Sequence, residues 1–359
     1  MSYVRSIKVA GLAMAILMAA ASVGRPEDTP TKLVTEEFMI DAAEPGTKLY
    51  VRNKHPENMQ GFAPERTLLF VHGARTPAEV TFDLPLEGLS WMDYVARRGW
   101  DVYLVDVRGY GRSTRPPEMD QPAENNPPLV KTDVAIKDVS AAIEFILRRR
   151  NIPRLSLMGW SWGCTIMGAY TAEHNDRVDR LVLYGPDWPP TPTASQAVSP
   201  PLGAYVAATT ATIRQRIQAG APEDKRDELM PPAWFEAWSA AILASDPLGS
   251  KQDPPVLRSP AGVWQDDRDY WEAGKPYYDP ARITVPTLIV VAEWDRVTPD
   301  EWAQALFHKL PSRSEKRLVE IGEGTHLVML EKNRMQLFRE VQLFLDKSRG
   351  PTEDRPASR

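Results

Sequence analysis

The clearest candidate for a catalytic residue in this chain is a serine between two glycines, in the stretch Gly-Trp-Ser-Trp-Gly at residues 159–163. A strand-like apolar run precedes it and a helix-like run follows. At so sharp a strand-to-helix turn the serine hydroxyl stands exposed, and the glycines leave space where other side chains would collide. The pattern therefore predicts that Ser161 is a nucleophile.

A serine hydroxyl is a weak nucleophile at neutral pH, so it needs a base to take its proton and a carboxylate to orient that base. Of the five histidines, His326 follows the last strand-like run in a glycine-containing loop, and we predict it as the base. Asp295 follows the preceding strand-like run and is predicted as the orienting acid, because such triads run in the order Ser, Asp, His. Glu293 and Asp187 remain alternative acids.

The negative charge that develops on an attacked carbonyl oxygen needs amide donors. We predict the backbone N–H of Trp162, the residue after the serine, and that of Ala74, in the loop after His72-Gly73. Trp160 either walls a substrate pocket or packs beneath the serine. Arg75 is a candidate substrate-binding residue that either holds a carboxylate or points to water. This chemistry requires no cofactor and no metal ion.

Strand and helix patterns alternate along most of the chain and must position these residues. Apolar runs typical of strands buried on both faces occur at 67–71 and 102–105, and further strand patterns occur at 154–158, 178–183, 286–291 and 316–321. Helical patterns occur at 89–98, 133–149 and 327–345. This alternation predicts an α/β fold with a mostly parallel sheet covered by helices on both faces.

The stretch 187–282 interrupts this rhythm and is rich in proline and tryptophan. It has helical patterns at 204–219 and 232–244 and no buried-strand pattern. We interpret it as a mainly helical cap over the carboxyl edge of the sheet, where ligands of open α/β sheets bind. A separate small domain without contact to the site is the alternative. The core domain would then comprise residues 33–186 and 283–347.

The two ends of the chain carry signals of their own. Residues 1–21 combine early positive charges, an apolar run too short for a comfortable membrane span and small residues at 19–21, which predicts a cleaved signal peptide. The protein is then exported, to the periplasm or the medium, with no stable membrane span after cleavage. An uncleaved amino-terminal anchor is the alternative. Residues 348–359 are charged and contain prolines, and we expect a disordered tail.

Composition excludes several classes of partner. The 359 residues are 43% hydrophobic, enough for one large core, and their formal net charge is −5 without a basic stripe. Nucleic acid binding is therefore not expected. The single cysteine, Cys164, permits no disulfide within the chain and is interpreted as a buried, inert thiol. The oligomeric state stays open.

Taken together, these motifs resemble the α/β-hydrolase superfamily over about residues 33–347. The resemblance rests on His72-Gly73, the segment Asp106–Ser113, the serine turn, Asp295 and His326. It implies a serine triad on an α/β-hydrolase fold, and it implies that Asp106 and Arg108 stabilise the fold rather than act in catalysis.

The subfamily is less well specified by sequence. The Ser-Trp-Gly of the turn is similar to proline iminopeptidases, but Trp160 and the loop His-Gly-Ala-Arg at 72–75 depart from their Gly-Gly-Ser-Trp-Gly and His-Gly-Gly-Pro-Gly. Dehalogenases and epoxide hydrolases resemble this chain but carry aspartate in place of Ser161. We expect hydrolysis of a small-molecule carboxylic ester through an acyl-enzyme. An amide-cleaving enzyme, a lactonase, an acyltransferase and a non-catalytic binding protein remain alternatives.

Overall fold

A computed structural model of the chain describes residues 31–189 and 200–347. The predicted signal peptide at 1–21 and the predicted tail at 348–359 lie outside the described residues. Within the described ranges, none of the helices combines the length and the apolar character that crossing a membrane requires.

An eight-stranded sheet forms the centre of the molecule. Its neighbours run in the order β1-β2-β4-β3-β5-β6-β9-β10, antiparallel between β1, β2 and β4 and parallel elsewhere. These strands are β1 (Leu33–Asp41), β2 (Lys48–Pro56), β3 (Thr67–Val71), β4 (Asp101–Val105), β5 (Leu155–Trp160), β6 (Val178–Tyr184), β9 (Thr287–Ala292) and β10 (Lys316–Ile321). The predicted mostly parallel sheet is confirmed.

Helices cover both faces of this sheet. In chain order they are α1 (Ala78–Phe82), α2 (Trp91–Ala96), α3 (Thr132–Arg150), α4 (Trp162–Glu173), α5 (Thr210–Ile217), α6 (Arg226–Leu229), α7 (Pro232–Ala244), α8 (Gly262–Asp266), α9 (Asp300–Lys309) and α10 (Arg334–Leu345). Alternate residues of a strand point to opposite faces. Accordingly, Leu69 joins a core with α3, α4 and α9, whereas Phe70 joins a core with α1, α2 and α10. The predicted covering of both faces is confirmed.

Parallel pairing brings the carboxyl ends of four strands to one edge of the sheet. Trp160 pairs with Tyr184, Tyr184 with Val290, and Ile321 with Ala292. The segments that carry Ser161, Asp187, Asp295 and His326 follow these ends directly. Ligands of open α/β sheets bind at such an edge, so the topology gathers the predicted site residues there.

The segment between β6 and β9 differs from the sequence prediction. Part of the expected helix at 204–219 is a strand, β7 (Tyr205–Ala208), which pairs antiparallel with β8 (Leu257–Pro260). Helix α5 begins only after Thr209, whose side chain accepts a hydrogen bond from the Thr212 amide. The expected helix was wrong over these residues because short strands are selected by their pairing partner, here about 50 residues away, more than by local propensity.

The expected helix at 327–345 was also wrong at its start. A short 3₁₀ turn occupies Val328–Leu330, and α10 begins at Arg334. Between them the Glu331 carboxylate accepts hydrogen bonds from the Thr325 amide and hydroxyl, at 3.0 and 2.5 Å. This contact folds the chain back on the loop before it, which prevents a continuous helix.

Candidate active site

Ser161 lies in a strained turn between β5 and α4. Its backbone has φ 55° and ψ −124°, a conformation that residues other than glycine rarely adopt and that is found at functional sites. A Cβ atom at Gly159 would lie 2.2 Å from the carbonyl oxygen of Gly163, and one at Gly163 would lie 2.5 Å from that of Val71. Both glycines are therefore required by the close approach of backbone segments, as the sequence pattern indicates.

His326 and Asp295 are joined by a short hydrogen bond. His326 Nδ1 lies 2.7 Å from Asp295 Oδ2, and the two residues are 3% and 2% exposed. Asp295 Oδ1 accepts from the amides of Val297 and Thr298, at 2.8 and 2.9 Å, while the Thr298 hydroxyl donates to Oδ2. With the Asp295 carboxylate as its acceptor, Nδ1 is the nitrogen that carries the imidazole proton, which leaves Nε2 able to accept another.

The two alternative acids occupy different positions. The Glu293 carboxylate accepts a hydrogen bond from the Glu323 amide at 2.8 Å. Asp187 lies within electrostatic reach of His326, but the carboxylate bonded to that imidazole is Asp295. Asp295 is thus the carboxylate that orients His326.

Several hydrogen bonds that the sequence analysis did not predict hold the loop of His326 in place. Trp160 Nε1 donates to the backbone oxygen of His326 at 2.9 Å, and the Tyr184 hydroxyl donates to that of Thr325 at 2.9 Å. Glu331 binds Thr325 from the other side. No local pattern identifies these contacts, because each joins segments that are remote in sequence or depends on how the loop folds back.

The predicted amide donors border the same space as the serine. Trp162 is the first residue of α4, so its N–H has no acceptor within the helix and lies at the positive end of the helix dipole. Ala74 lies in the loop after β3, and its carbonyl oxygen accepts from the Tyr110 hydroxyl at 2.7 Å, which fixes this loop. Both residues line a cavity together with Ser161 and His326.

That cavity has a volume of about 220 Å³. The segment 187–282 supplies much of its wall, with Ile213, Arg216, Trp264, Asp267 and Trp271 among the lining residues. Trp160 and Arg75 line it as well. The Ser161 hydroxyl forms no hydrogen bond with another described residue. In sites without substrate the serine–histidine contact is often loose and tightens only on binding.

Three other polar residues near the site form hydrogen bonds or ion pairs with the surrounding fold. His72 is fully buried and bonded to backbone groups of Gly73 and Val107, and burial lowers its pKa to about 4, which keeps it neutral. Asp106 accepts from two backbone amides, and Arg108 pairs with Asp138 at 2.6 Å. These contacts agree with a stabilising role for the segment around residues 106–113.

A family model described as alpha/beta hydrolase fold matches residues 66–333, about three quarters of the chain. The chain belongs to the α/β-hydrolase family. A probable proline iminopeptidase from Leptolyngbya boryana is 32% identical over 96 residues, which are 27% of this chain and 26% of that protein. The match thus spans about a quarter of that relative.

Solved structures share the fold of this α/β-hydrolase at low identity. An enol-lactonase from Burkholderia xenovorans superposes with a TM-score of 0.57 and 16% identity, covering 85% of this chain and 99% of its own. A thermophilic esterase from Thermogutta terrifontis superposes with a TM-score of 0.54 and 17% identity, covering 86% and 98%. At such identities the likeness shows the fold alone.

The cavity of this α/β-hydrolase is also lined by a pair of half-buried carboxyl groups, Asp187 and Asp267. They are hydrogen-bonded to each other, and burial raises the pKa of both, while the nearby charge of Arg216 acts in the opposite direction. Two carboxylates this close cannot both ionise without strong repulsion, so the pair holds a shared proton at neutral pH.

The pair of Asp187 and Asp267 predicts that the free energy of unfolding depends on pH, and that the substitution Asp267→Asn reduces this dependence. From about pH 5 upward the folded pair keeps a proton that unfolded carboxyls, with pKa near 4, release, so unfolding becomes easier as the pH rises towards the raised pKa of the pair. Asp267→Asn is expected to reduce this decline, by at most about 1.4 kcal/mol per pH unit. The measurement is the free energy of unfolding in urea across this range. The exposed neighbour Asp269→Asn serves as the control, and identical pH slopes for wild type and Asp267→Asn would contradict the shared proton.

Proposed function

We propose that this α/β-hydrolase cleaves carboxylic esters through an acyl-enzyme formed on Ser161. The observation that carries the proposal is the 2.7 Å hydrogen bond between His326 and Asp295 at the wall of the cavity that Ser161 borders. An imidazole held by a buried carboxylate beside a serine in a strained turn is the arrangement that serine hydrolases use to activate the hydroxyl.

In the proposed reaction, His326 Nε2 takes the Ser161 proton as the serine oxygen attacks the ester carbonyl. The amides of Trp162 and Ala74 stabilise the resulting oxyanion, and each such donor typically lowers the barrier by about 3 kcal/mol. The tetrahedral intermediate collapses, His326 protonates the departing alcohol, and the acyl group stays on Ser161. Water activated by His326 then releases the acid. Asp295 stabilises the imidazolium in both steps.

We further propose that residues 187–282 act as a cap that selects the substrate, since this segment supplies much of the cavity wall. Export of the protein is proposed from the amino-terminal pattern of residues 1–21 alone. The first proposal concerns the choice of substrate and the second the location of the protein. The proposed reaction of the triad does not depend on either.

Amide cleavage on the same triad is the second candidate, favoured by the partial match to a probable proline iminopeptidase. Against it stand Trp160 and the sequence His-Gly-Ala-Arg at 72–75, where the similar enzymes have glycine and His-Gly-Gly-Pro-Gly. The acidic pair Asp187 and Asp267 holds a shared proton, which weakens it as a partner for a substrate ammonium group.

The test is a comparison of p-nitrophenyl butyrate, butyryl p-nitroanilide, prolyl p-nitroanilide and γ-valerolactone, with and without added alcohol. We expect the nitrophenyl ester to give the highest kcat/KM. A preference for an anilide or for the lactone would replace the ester proposal with amide or lactone cleavage, and transfer of the butyryl group to the alcohol would indicate an acyltransferase. A fluorophosphonate probe is expected to label Ser161, and absence of both labelling and turnover would favour a binding protein.

A further inference from the structure

Arg75 is a buried cation without a partner in the wall of the active-site cavity. Its Nε and Nη1 atoms are inaccessible to solvent and have no hydrogen-bond partner among the described residues. The guanidinium lies over the ring of Trp264, at 4.8 Å from the ring centroid. Arg75 directly follows Ala74, the proposed oxyanion donor, and both residues line the cavity that Ser161 borders.

No carboxylate neutralises Arg75 within the described part of the chain. It takes part in none of the ion pairs found there, and the charge with the largest influence on it is the like charge of Arg216. Residues 190–199, which the structure does not describe, contain neither Asp nor Glu, so they offer no carboxylate side chain either. Burial and Arg216 lower the pKa of Arg75 to about 10, which leaves it protonated at neutral pH.

Three acidic residues line the cavity, Asp187, Asp267 and Glu272, and none of them forms an ion pair with Arg75. Asp187 and Asp267 are bonded to each other, and Arg216 is the cation that influences both of them. Asp295 is fully engaged by backbone amides, Thr298 and His326. Within residues 31–189 and 200–347, no carboxylate compensates the positive charge at Arg75.

A buried guanidinium without a partner is costly, and such groups persist where a ligand supplies the missing charge. The planar guanidinium presents several N–H donors in a fixed fork that matches the two oxygens of a carboxylate. The contact with Trp264 helps to fix the position of the guanidinium in the cavity wall.

We propose that Arg75 binds a carboxylate group carried by the substrate, so that this enzyme prefers anionic monoesters to neutral esters. The inference rests on the proposed ester hydrolysis and names the substrate class for it. The carboxylate belongs to either the acyl or the alcohol portion of the ester, since both portions lie in the cavity that Arg75 lines.

Two pairs of substrates show which portion of the ester carries the carboxylate. Monomethyl adipate and dimethyl adipate differ in charge on the acyl side, and 4-acetoxybutanoate and butyl acetate differ on the alcohol side. For one of the pairs we expect kcat/KM of wild type to favour the anionic ester by about 10- to 100-fold, the size of effect given by hydrogen bonds to charged groups. In Arg75→Met this ratio is expected to fall to about one.

Arg98→Met is the matched control, because Arg98 is an exposed arginine that also stacks on an aromatic ring, that of Tyr94, remote from the cavity. It is expected to keep the wild-type ratio. A folded Arg75→Met protein with an unchanged ratio would overturn the inference, as would a wild-type ratio near one in both pairs while neutral esters are hydrolysed. A wild-type ratio near one with turnover of neutral esters would leave the proposal of ester hydrolysis intact.

A binding measurement distinguishes failure of this inference from failure of the proposed function. Calorimetry with the Ser161→Ala protein is expected to detect adipate binding that is weakened at least tenfold when Arg75→Met is added. If no ester of either pair is turned over but this difference is found, the anion site stands and the hydrolase proposal fails. If esters are hydrolysed but adipate binding is equal in the two proteins, the anion site at Arg75 is refuted.

Discussion

Replacing Ser161 with alanine is expected to lower kcat for ester hydrolysis by at least about 10⁴-fold, because removal of the nucleophile of a serine triad leaves only the contribution of binding and amide donors. The folded state is expected to tolerate the change. The Ser161 hydroxyl makes no hydrogen bond to another described residue, so its removal leaves no buried group unpaired. The melting temperature should therefore stay within a few degrees of wild type.

The measurement is steady-state turnover of the best ester from the substrate panel, alongside thermal unfolding of the same preparations. Ser140→Ala is the matched control: this serine lies on α3 and donates to the carbonyl of Ile136, away from the cavity. We expect it to retain wild-type turnover. Wild-type rates in Ser161→Ala would refute the acyl-enzyme, and a large loss of melting temperature would leave fluorophosphonate labelling of the wild type as the deciding experiment.

The central strands could be predicted closely where they are apolar runs between polar turns. The predicted strands at 67–71 and 102–105 match β3 and all but the first residue of β4, and every residue of these two strands is buried. Strands buried on both faces have few alternatives, since such runs are too short for core helices and too apolar for loops. The strained turn at Ser161 was also predictable, because its glycines are dictated by backbone contacts that almost any side chain would prevent.

Features that depend on pairing across the sequence could not be predicted from local patterns. The strand Tyr205–Ala208 exists because it pairs with Leu257–Pro260, and the start of α10 is set by the contact of Glu331 with Thr325. The acidic pair Asp187 and Asp267 joins residues 80 positions apart. Neither partner carries a local signal of this contact, which requires the tertiary arrangement.

Arg75 shows how the structure adds to a motif that the sequence leaves ambiguous. From sequence, its side chain either holds a carboxylate or points to water. In the structure it lines the cavity, and two of its guanidinium nitrogen atoms are enclosed without a hydrogen-bond partner among the described residues. Burial, which a loop sequence does not reveal, turns an unremarkable surface residue into a candidate determinant of specificity.

Asp295→Asn is expected to reduce kcat by about 10⁴-fold although it changes the side chain by one atom. Asp295 Oδ1 accepts from the amides of Val297 and Thr298, so an asparagine at this position will direct its carbonyl oxygen to them. Its amino group then faces His326 Nδ1 and donates to it. The imidazole must carry its proton on Nε2, and in that tautomer it cannot accept the proton of Ser161.

The comparison that decides the role of Asp295 is with Glu293→Gln, measured as turnover of the same ester. Glu293 also follows β9, but its carboxylate binds the Glu323 amide instead of the imidazole, so this variant is expected to keep more than about half of the wild-type kcat. Equal losses in the two variants would remove the assignment of Asp295 as the orienting acid. A loss confined to Asp295→Asn, with fluorophosphonate labelling slowed in parallel, requires a carboxylate that acts through the tautomer of His326 and not through the stability of the loop.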